Sequence, residues 1–518
     1  MEPMKPPNAT PKQWTAVSVG VLGAFISILN ISITNSSLMD IQGALGAGIT
    51  EGSWISTAYL VTEIIVIPLT GFLCGVFSTR LYMLGNVLLF ILFSAFCGMS
   101  QSLPAMILMR ALQGFVGGAL IPVGMTLAMD SLPKHQRTIG LSLFGLATTF
   151  APAIGPTLGG WLTTHYGWPF VFYINIIPGV AILAAILASL DPEPHRLGDL
   201  RTADWPGIIS LSAFLGSLTT VLEQGNQEDW FSSPMITRLT ILCLASLIYF
   251  IWRELNTPKP VVDLSFLVRL NFLTSCLLSL AMGLVLYTFA YLMPVYLGGV
   301  QGYNALQIGG VMTWFGLPQL AILPMVPYLV RNVDNRKLVA AGFALMAAGS
   351  LMNIHMNHDC AGSQFIIPQC LLACGMPLLI VPLTSIAYDG ITFGDHGAAS
   401  GLFNMTRNLG GSIGIGTMQT LVTRRYIFHF GRIAEKVSAL DPAVQYRLAG
   451  VTKAAMAKGS SAVVAHQQAI QMFGMVMNRE SYVMAFSDCF LILGLLTFLA
   501  VLLTPMLHRV KGEMSAAH

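Results

Sequence analysis

Long apolar runs separated by short polar or charged stretches succeed one another from residue 14 to residue 506. A hydrocarbon core about 30 Å thick needs roughly 20 apolar residues per helix. By that measure the pattern predicts fourteen spans, near 14–35, 51–75, 81–100, 103–128, 138–162, 169–190, 204–224, 235–252, 271–297, 306–330, 337–354, 363–387, 398–423 and 484–506. The pair 204–224 and 235–252 is the most interrupted by polar residues. Arg80, Lys134, Arg137, Arg196, Arg201, Arg253, Lys259, Arg269, Arg331, Arg336 and Lys337 all fall in even-numbered connections, and the short odd-numbered ones carry no Lys or Arg. With Lys5 and Lys12 before the first span and Arg509 and Lys511 after the last, the charge bias places both termini in the cytoplasm.

One run is unusual. Between Leu141 and Leu162 the chain places Gly145, Ala151, Pro152, Gly155, Pro156, Gly159 and Gly160 where a membrane helix normally carries bulky residues. Proline removes a backbone donor and bends a helix, and glycines on one face admit a neighbouring backbone, so this span is expected to act as a conformational hinge. Gly114 with Gly118, Gly155 with Gly159 and Gly410 with Gly414 are small-x-x-x-small pairs that predict three close helix contacts. A second departure is the connection 424–481, long where the others are short. Its residues Val444, Leu448, Val451, Ala455, Val463, Ala465, Ala469 and Met472, divided at Gly459, Ser460 and Ser461, predict a helical hairpin with an apolar stripe. That stripe either packs the loop on the outer mouth or docks a partner.

Composition narrows the function. Of 518 residues, 54% are hydrophobic and 9% charged, against about 25% charged in an ordinary soluble domain. A net charge of +3 without a basic patch gives no reason to expect a nucleic-acid partner. The eight cysteines fall mostly inside apolar runs, without C-x-x-C pairs, and read as small hydrophobes. His355, His358, Asp359 and Cys360 cluster in one connection, in a spacing that fits no metal geometry, so neither a metal nor a cofactor is expected. The chain lacks H-E-x-x-H, G-x-S-x-G and any phosphate-binding glycine-lysine loop, which argues against an enzyme and against ATP-driven pumping.

Charges inside spans are costly and normally face a partner or a wet cavity, which singles out Glu63, Arg110 and Arg407. At roughly 1.5 Å per residue, Glu63 lies about 14 Å below Trp54, Arg110 about 10 Å below Leu103 and Asn30 about 10 Å below Ser37, all from the outer face. Spans one, two and four are therefore expected to bring Asn30, Glu63 and Arg110 to one level. Two readings follow: a proton switch whose carboxylate responds to its surroundings, or a fixed structural pair. Arg407 likewise either serves the cavity or snorkels to the near headgroups. Asp488 and Glu223, near the outer ends of their spans, are read as interfacial.

Four stretches carry a family resemblance. Arg110, Gln113 and Gly114 resemble the fourth-span R-x-x-Q-G signature of the major facilitator superfamily, and Ala151 to Gly160 is similar to that superfamily's antiporter motif. Trp54, Tyr59, Pro68 and Gly71 in span two, with Asn175 and Pro178 in span six, resemble its fourteen-span drug:proton antiporter branch, as does Asn404 through Gly414. The resemblance implies an all-α fold of two six-helix bundles, residues 1–200 and 261–518, with two inserted helices in 201–260 and a periplasmic loop at 424–483. It implies a multi-pass protein of the bacterial inner membrane that exports hydrophobic or amphiphilic drugs in exchange for protons. A periplasmic membrane-fusion adaptor and an outer-membrane channel are the implied partners, and a dedicated exporter of a fatty acid or siderophore is the alternative. The charges buried within spans assign Glu63 and Arg110 to proton coupling. Asn30, Asn35, Gln113, Asn404 and Arg407 are assigned to the substrate cavity, and Gly145, Pro152, Gly155, Pro156, Gly159 and Gly160 to the hinge. Asn30 stands where relatives usually carry an acidic residue, and Gly71 to Arg80 lacks the Asp of the usual G-x-L-x-D-x-x-G-R loop. Coupling and gating here are thus expected to be built otherwise, with Arg331, Asp334 and Arg336 as a partial echo in the second half.

Overall fold

A computed structural model describes residues 8–508 apart from 193, 202, 258–261, 361, 393–394 and 438–440, and apart from the side chains of 49, 50 and 305. Lys5, Lys259, Arg509 and Lys511, counted above for orientation, lie outside the described residues. Among the described residues the chain is helical, with no strand. The spans are α1 (Pro11–Ser36), α2 (Trp54–Phe77), α3 (Thr79–Gly98), α4 (Leu103–Asp130), α5 (Arg137–Tyr166), α6 (Phe170–Ser189) and α7 (Trp205–Gln224). They continue with α8 (Pro234–Asn256), α9 (Leu270–Gly299), α10 (Leu306–Asn332), α11 (Asn335–Met352), α12 (Ile366–Ala387), α13 (His396–Lys436) and α14 (Ala462–Leu503). Thirteen of them are long and apolar enough to cross a membrane by composition alone; α13 is the other. Its polar span is explained by its surroundings, since α2, α4, α7, α9 and α14 all pack against it and shield it from lipid.

The helices form two bundles, α1–α6 and α9–α14, with α7 and α8 added at one flank. The bundles meet along two seams. On one, α2 and α4 pack on α13; on the other, α5 packs on α10 and α12. The accessory α7 lies against both α2 and α13, and α8 lies against α7. An even number of crossings puts both chain ends on one side, called here the terminal face. Ala9 accordingly reaches Gln136 and His508 reaches Asn271, both at span ends of that face.

The opposite face corrects one expectation. Residues 424–481 are not a loop carrying a separate hairpin. Helix α13 runs on to Lys436, a short helix follows at Pro442–Ala457, and the second arm of the expected hairpin is the beginning of α14. With 41 and 42 residues, α13 and α14 are about 62 Å long, twice the hydrocarbon thickness. The apolar pattern ends where lipid ends, but no proline ends the helix there. Tyr426 stacks on Tyr482 with ring centroids 4.1 Å apart, and Asp488 accepts from Arg425 and His429, each at 2.6 Å, so the two extensions hold together. With the short helix they enclose a groove of about 920 Å³ lined by Val444, Leu448, Met456, Ile470 and Phe473. Of the expected stripe, Ala465 and Ala469 are buried, whereas Val463 and Met472 are exposed.

Candidate functional site

Close approach of α2 and α4 builds the first element of the site. A side-chain carbon on Gly118 would lie 2.7 Å from the Glu63 carbonyl oxygen, so only glycine lets the backbones meet here. Arg110 is thereby enclosed completely. Its Nη1 donates to Asn30 Oδ1 at 2.6 Å and to Gln113 Oε1 at 2.7 Å, and its Nε donates to the Ile55 carbonyl at 3.2 Å. The guanidinium lies 4.2 Å from the centre of the Tyr59 ring, a cation–π contact. Gln113 Nε2 in turn donates to Ser94 at 2.6 Å. Asn30 and Gln113 are fully buried and engaged by Arg110 inside the first bundle, so neither lines an open cavity. Asn35 accepts from Ser56 at 2.6 Å at the outer end of α1 and α2, away from this layer.

Among the described residues Glu63 forms no salt bridge with Arg110, though the two remain charged neighbours, and Asn30 rather than Glu63 takes the guanidinium's hydrogen bond. Tyr59, one turn nearer the outer face on α2, occupies the level of Arg110, and Glu63 lies a turn deeper. Glu63 is 3% exposed, and its charged neighbours are Arg407 of α13 and Arg110 of α4. Counting in from opposite faces, Glu63 is nine residues from the start of α2 and Arg407 eleven from the start of α13. These rises, about 14 and 17 Å, put both near mid-membrane. Arg407 is 2% exposed and does not snorkel; its Nε and Nη2 have no hydrogen-bond partner among the described residues. Tyr287 of α9, whose hydroxyl donates to Asn408 at 3.3 Å, stands beside both Arg407 and Glu63. The site therefore sets a carboxylate on α2 and a guanidinium on α13 near the seam along which these two helices of opposite bundles pack.

Toward the terminal face that seam is bolted shut. Asn404 Nδ2 donates to the Met125 sulfur at 3.0 Å, and Ser400 donates to the Pro122 carbonyl at 3.1 Å. A side-chain carbon on Gly71 would come within 2.8 Å of the Ala398 nitrogen. At the end of the seam His396 Nδ1 and Asp130 Oδ1 are 2.7 Å apart. Across the other seam Arg331 donates to the His135 carbonyl at 2.9 Å, while Arg336 pairs locally with Asp334 at 2.7 Å. The second-half charges thus contribute one bridging residue.

Helix α5 stays continuous through Pro152 and Pro156. Pro156 has no N–H to offer the Pro152 carbonyl, and Ser32 of α1 donates to that carbonyl instead, at 3.2 Å. Gly155 and Gly159 face α1, with Gly159 against the Ile33 backbone. The other face meets the second bundle: Gly145 abuts Ile380 of α12, Phe150 and Ala153 abut Gly316 of α10, and Thr149 bonds Gln319. Gly160 is buried within the same helix. All six expected hinge residues thus lie on the helix between α1 and the opposite bundle. Gly410 and Gly414 pack against α9, completing the three predicted close contacts.

Sequence reasoning missed three features: the nearness of Glu63 to Arg407, the Asp130–His396 bolt and the burial of Glu223. Glu223 was read as interfacial, yet its Oε1 is buried, with no hydrogen-bond partner among the described residues. In the His355–Cys360 cluster, His358 pairs with Glu480 of α14 at 2.8 Å and with Asp359 at 3.1 Å.

Comparison with known proteins bears on this geometry. Residues 20–415 match the family model of the Major Facilitator Superfamily. The chain is 30% identical to the colistin resistance protein EmrB of Acinetobacter baumannii, covering 96% of this chain and 97% of that one. It is 31% identical to the multidrug export protein EmrB of Escherichia coli, covering 92% and 93%. It is 29% identical to the fatty acid resistance protein FarB of Neisseria gonorrhoeae, covering 96% and 97%. Among solved structures, the human organic anion transporter MFSD10 superposes with a TM-score of 0.60 at 15% identity over 96% of this chain and 100% of that one. The proton:xylose symporter XylE superposes with a TM-score of 0.61 at 12% identity over 97% of each chain.

Proposed function

The chain belongs to the Major Facilitator Superfamily and is a membrane transporter of EmrB-like multidrug efflux type, and from that premise we propose that it is a proton-driven antiporter of hydrophobic and amphiphilic drugs. The observation that carries the proposal is the placement of Glu63 and Arg407 on opposite bundles near mid-membrane. Alternating access rocks one bundle against the other. When α13 swings away from α2, Glu63 loses a neighbouring guanidinium in dry surroundings and takes up a proton; when α13 returns, the proton is released. Arg110, held by Asn30 and Gln113, fixes the α1–α2–α4 wall behind it, and α5 is the bending member. Asn404 and Arg407 serve the cargo side of the seam.

In this reading the terminal face looks into the cytoplasm and the protein sits in the inner membrane. The projecting helices of α13 and α14 would carry the adaptor that continues to an outer-membrane channel; their length and apolar groove support this. A second reading, export of one acidic amphiphile such as a fatty acid or siderophore, draws on the unpartnered nitrogens of Arg407 and on the name of the gonococcal relative. Efflux from liposomes holding the purified protein under an imposed pH gradient tests the proposal. Wild type is expected to exchange protons for drug, and Glu63→Gln to lose the dependence on the gradient. An unchanged proton stoichiometry in Glu63→Gln sinks the coupling role. A susceptibility panel on a deletion strain separates the two cargo readings, since sensitivity to a single compound class favours the dedicated exporter.

A further inference from the structure

The accessory helix carries polar atoms that the mechanism above does not use. Thr219 Oγ1, Glu223 Oε1 and Gln227 Oε1, spaced four residues apart along α7 and the turn after it, are each buried and have no hydrogen-bond partner among the described residues. Four-residue spacing stacks Thr219 and Glu223 on one helix face. The packing fixes that face. Gly216, seven residues before Glu223 and so on the same side, abuts Val61 and Ile65 of α2, and the Leu222 carbonyl is pressed on Gly416 of α13. Gln224 is turned to α2, donating to Thr57 at 2.7 Å. Glu223 therefore points to the groove between α2 and α13, the outer continuation of the seam that holds Glu63 and Arg407. Tyr291 of α9 is its ionisable neighbour there, one turn beyond Tyr287.

The chemistry of this stripe is one-sided. A carboxylate oxygen and an amide oxygen can only accept, and a hydroxyl can accept as well. Buried acceptors without donors are costly, and a buried carboxylate without a cation is costlier still. The carboxylate has no ion pair among the described residues. What the stripe lacks is a positively charged group bearing N–H donors. We infer that Thr219 and Glu223 on α7, with Gln227 in the turn after it, form a subsite for the protonated amine of a lipophilic cation in the outer half of the transport path. It gives the inserted helices a part in cargo selection, and it rests on the export reading only for the direction of traffic.

Binding without any gradient tests this apart from proton coupling. Protein in lipid nanodiscs is dialysed against radiolabelled propranolol, a lipophilic secondary amine, with empty nanodiscs subtracted; tetraphenylphosphonium, a cation with no N–H, is run in parallel. Glu223→Gln is expected to weaken propranolol binding about tenfold or more, Glu223→Asp to keep most of it, and tetraphenylphosphonium binding to change less than propranolol binding. Undiminished propranolol affinity in Glu223→Gln overturns the subsite, and an equal loss for both cations overturns its amine chemistry. Because binding is read with no gradient imposed, a failure of the coupling proposal leaves this result readable. Retention of affinity by Glu223→Asp, with unchanged gel-filtration behaviour, separates loss of the subsite from loss of the fold.

Discussion

The Asn30–Arg110 contact yields opposite effects from two substitutions at one position. Asn30 Oδ1 accepts a 2.6 Å bond from Arg110 Nη1, but Asn30 Nδ2 and Arg110 Nη2 both remain buried and unpartnered. Each residue thus keeps one buried donor with no acceptor beyond an otherwise good hydrogen bond. Asn30→Asp turns the stranded amide into an acceptor, offers Nη2 an oxygen and neutralises the guanidinium. Removing a buried orphan and strengthening a bond to a charge are each worth about 1–3 kcal/mol, partly offset by burying a second charge, so a net gain of about 1–3 kcal/mol is expected. Asn30→Leu deletes the acceptor and leaves a buried cation with fewer partners, at a cost of about 3 kcal/mol, between the loss of one charged hydrogen bond and that of a whole buried pair. Thermal unfolding of the purified protein in one detergent at neutral pH should rank Asn30→Asp above wild type and wild type above Asn30→Leu. The gain from Asn30→Asp should fade in acid, because an ion-paired carboxylate stabilises above its unfolded pKa and loses that effect as it protonates. If Asn30→Leu melts with wild type, or Asn30→Asp melts below it, the account of Arg110 as an incompletely satisfied buried cation is wrong.

Other consequences can be checked separately. Gly159→Val places carbon within 2.7 Å of the Ile33 carbonyl; it should cost about 1–3 kcal/mol by overpacking and slow efflux, and full transport would show that α1 and α5 need not touch. His396→Ala should loosen the terminal face, so that a cysteine at Ser400 in an otherwise cysteine-free protein reacts faster with an aqueous maleimide; exchanging the two residues, Asp130→His with His396→Asp, should restore protection, and equal reactivity throughout would remove the bolt. Leu448→Glu, within the groove of the projecting helices, should reduce co-purification of an adaptor while leaving efflux in liposomes intact. Co-purification unchanged by it would place any adaptor elsewhere.

The sequence was most informative where chemistry is local. Fourteen apolar runs predict fourteen helices because lipid enforces both length and hydrogen-bond closure. Three glycine pairs predict three close contacts because the spacing places each pair on one face. The expected meeting of Asn30 with Arg110 also follows from rise per residue. Arg407 is missed as a neighbour of Glu63 because depth alone does not say which residues of a distant helix a side chain meets: Arg407 stands 344 positions further on, while Tyr59 fills the space before Arg110. Asp130 and His396 are joined only by tertiary packing, and neither carries a local signal of the other. The extensions of α13 and α14 read as loop in the sequence because hydropathy reports the edge of the membrane and is silent on where a helix stops.

The accessory helix also constrains how the bundles separate. It holds α2 through Gln224, and the turn after it holds α13 through a bond from Trp230 to Thr420 at 3.2 Å. One margin of the interface is therefore strapped by a third helix, whereas at the other α5 and α10 meet directly, Thr149 bonding Gln319 and Thr157 lying against Gly309. Separation on that outer side therefore resembles a book opening along its spine, with α7 as the binding and the α5–α10 edge as the side that parts.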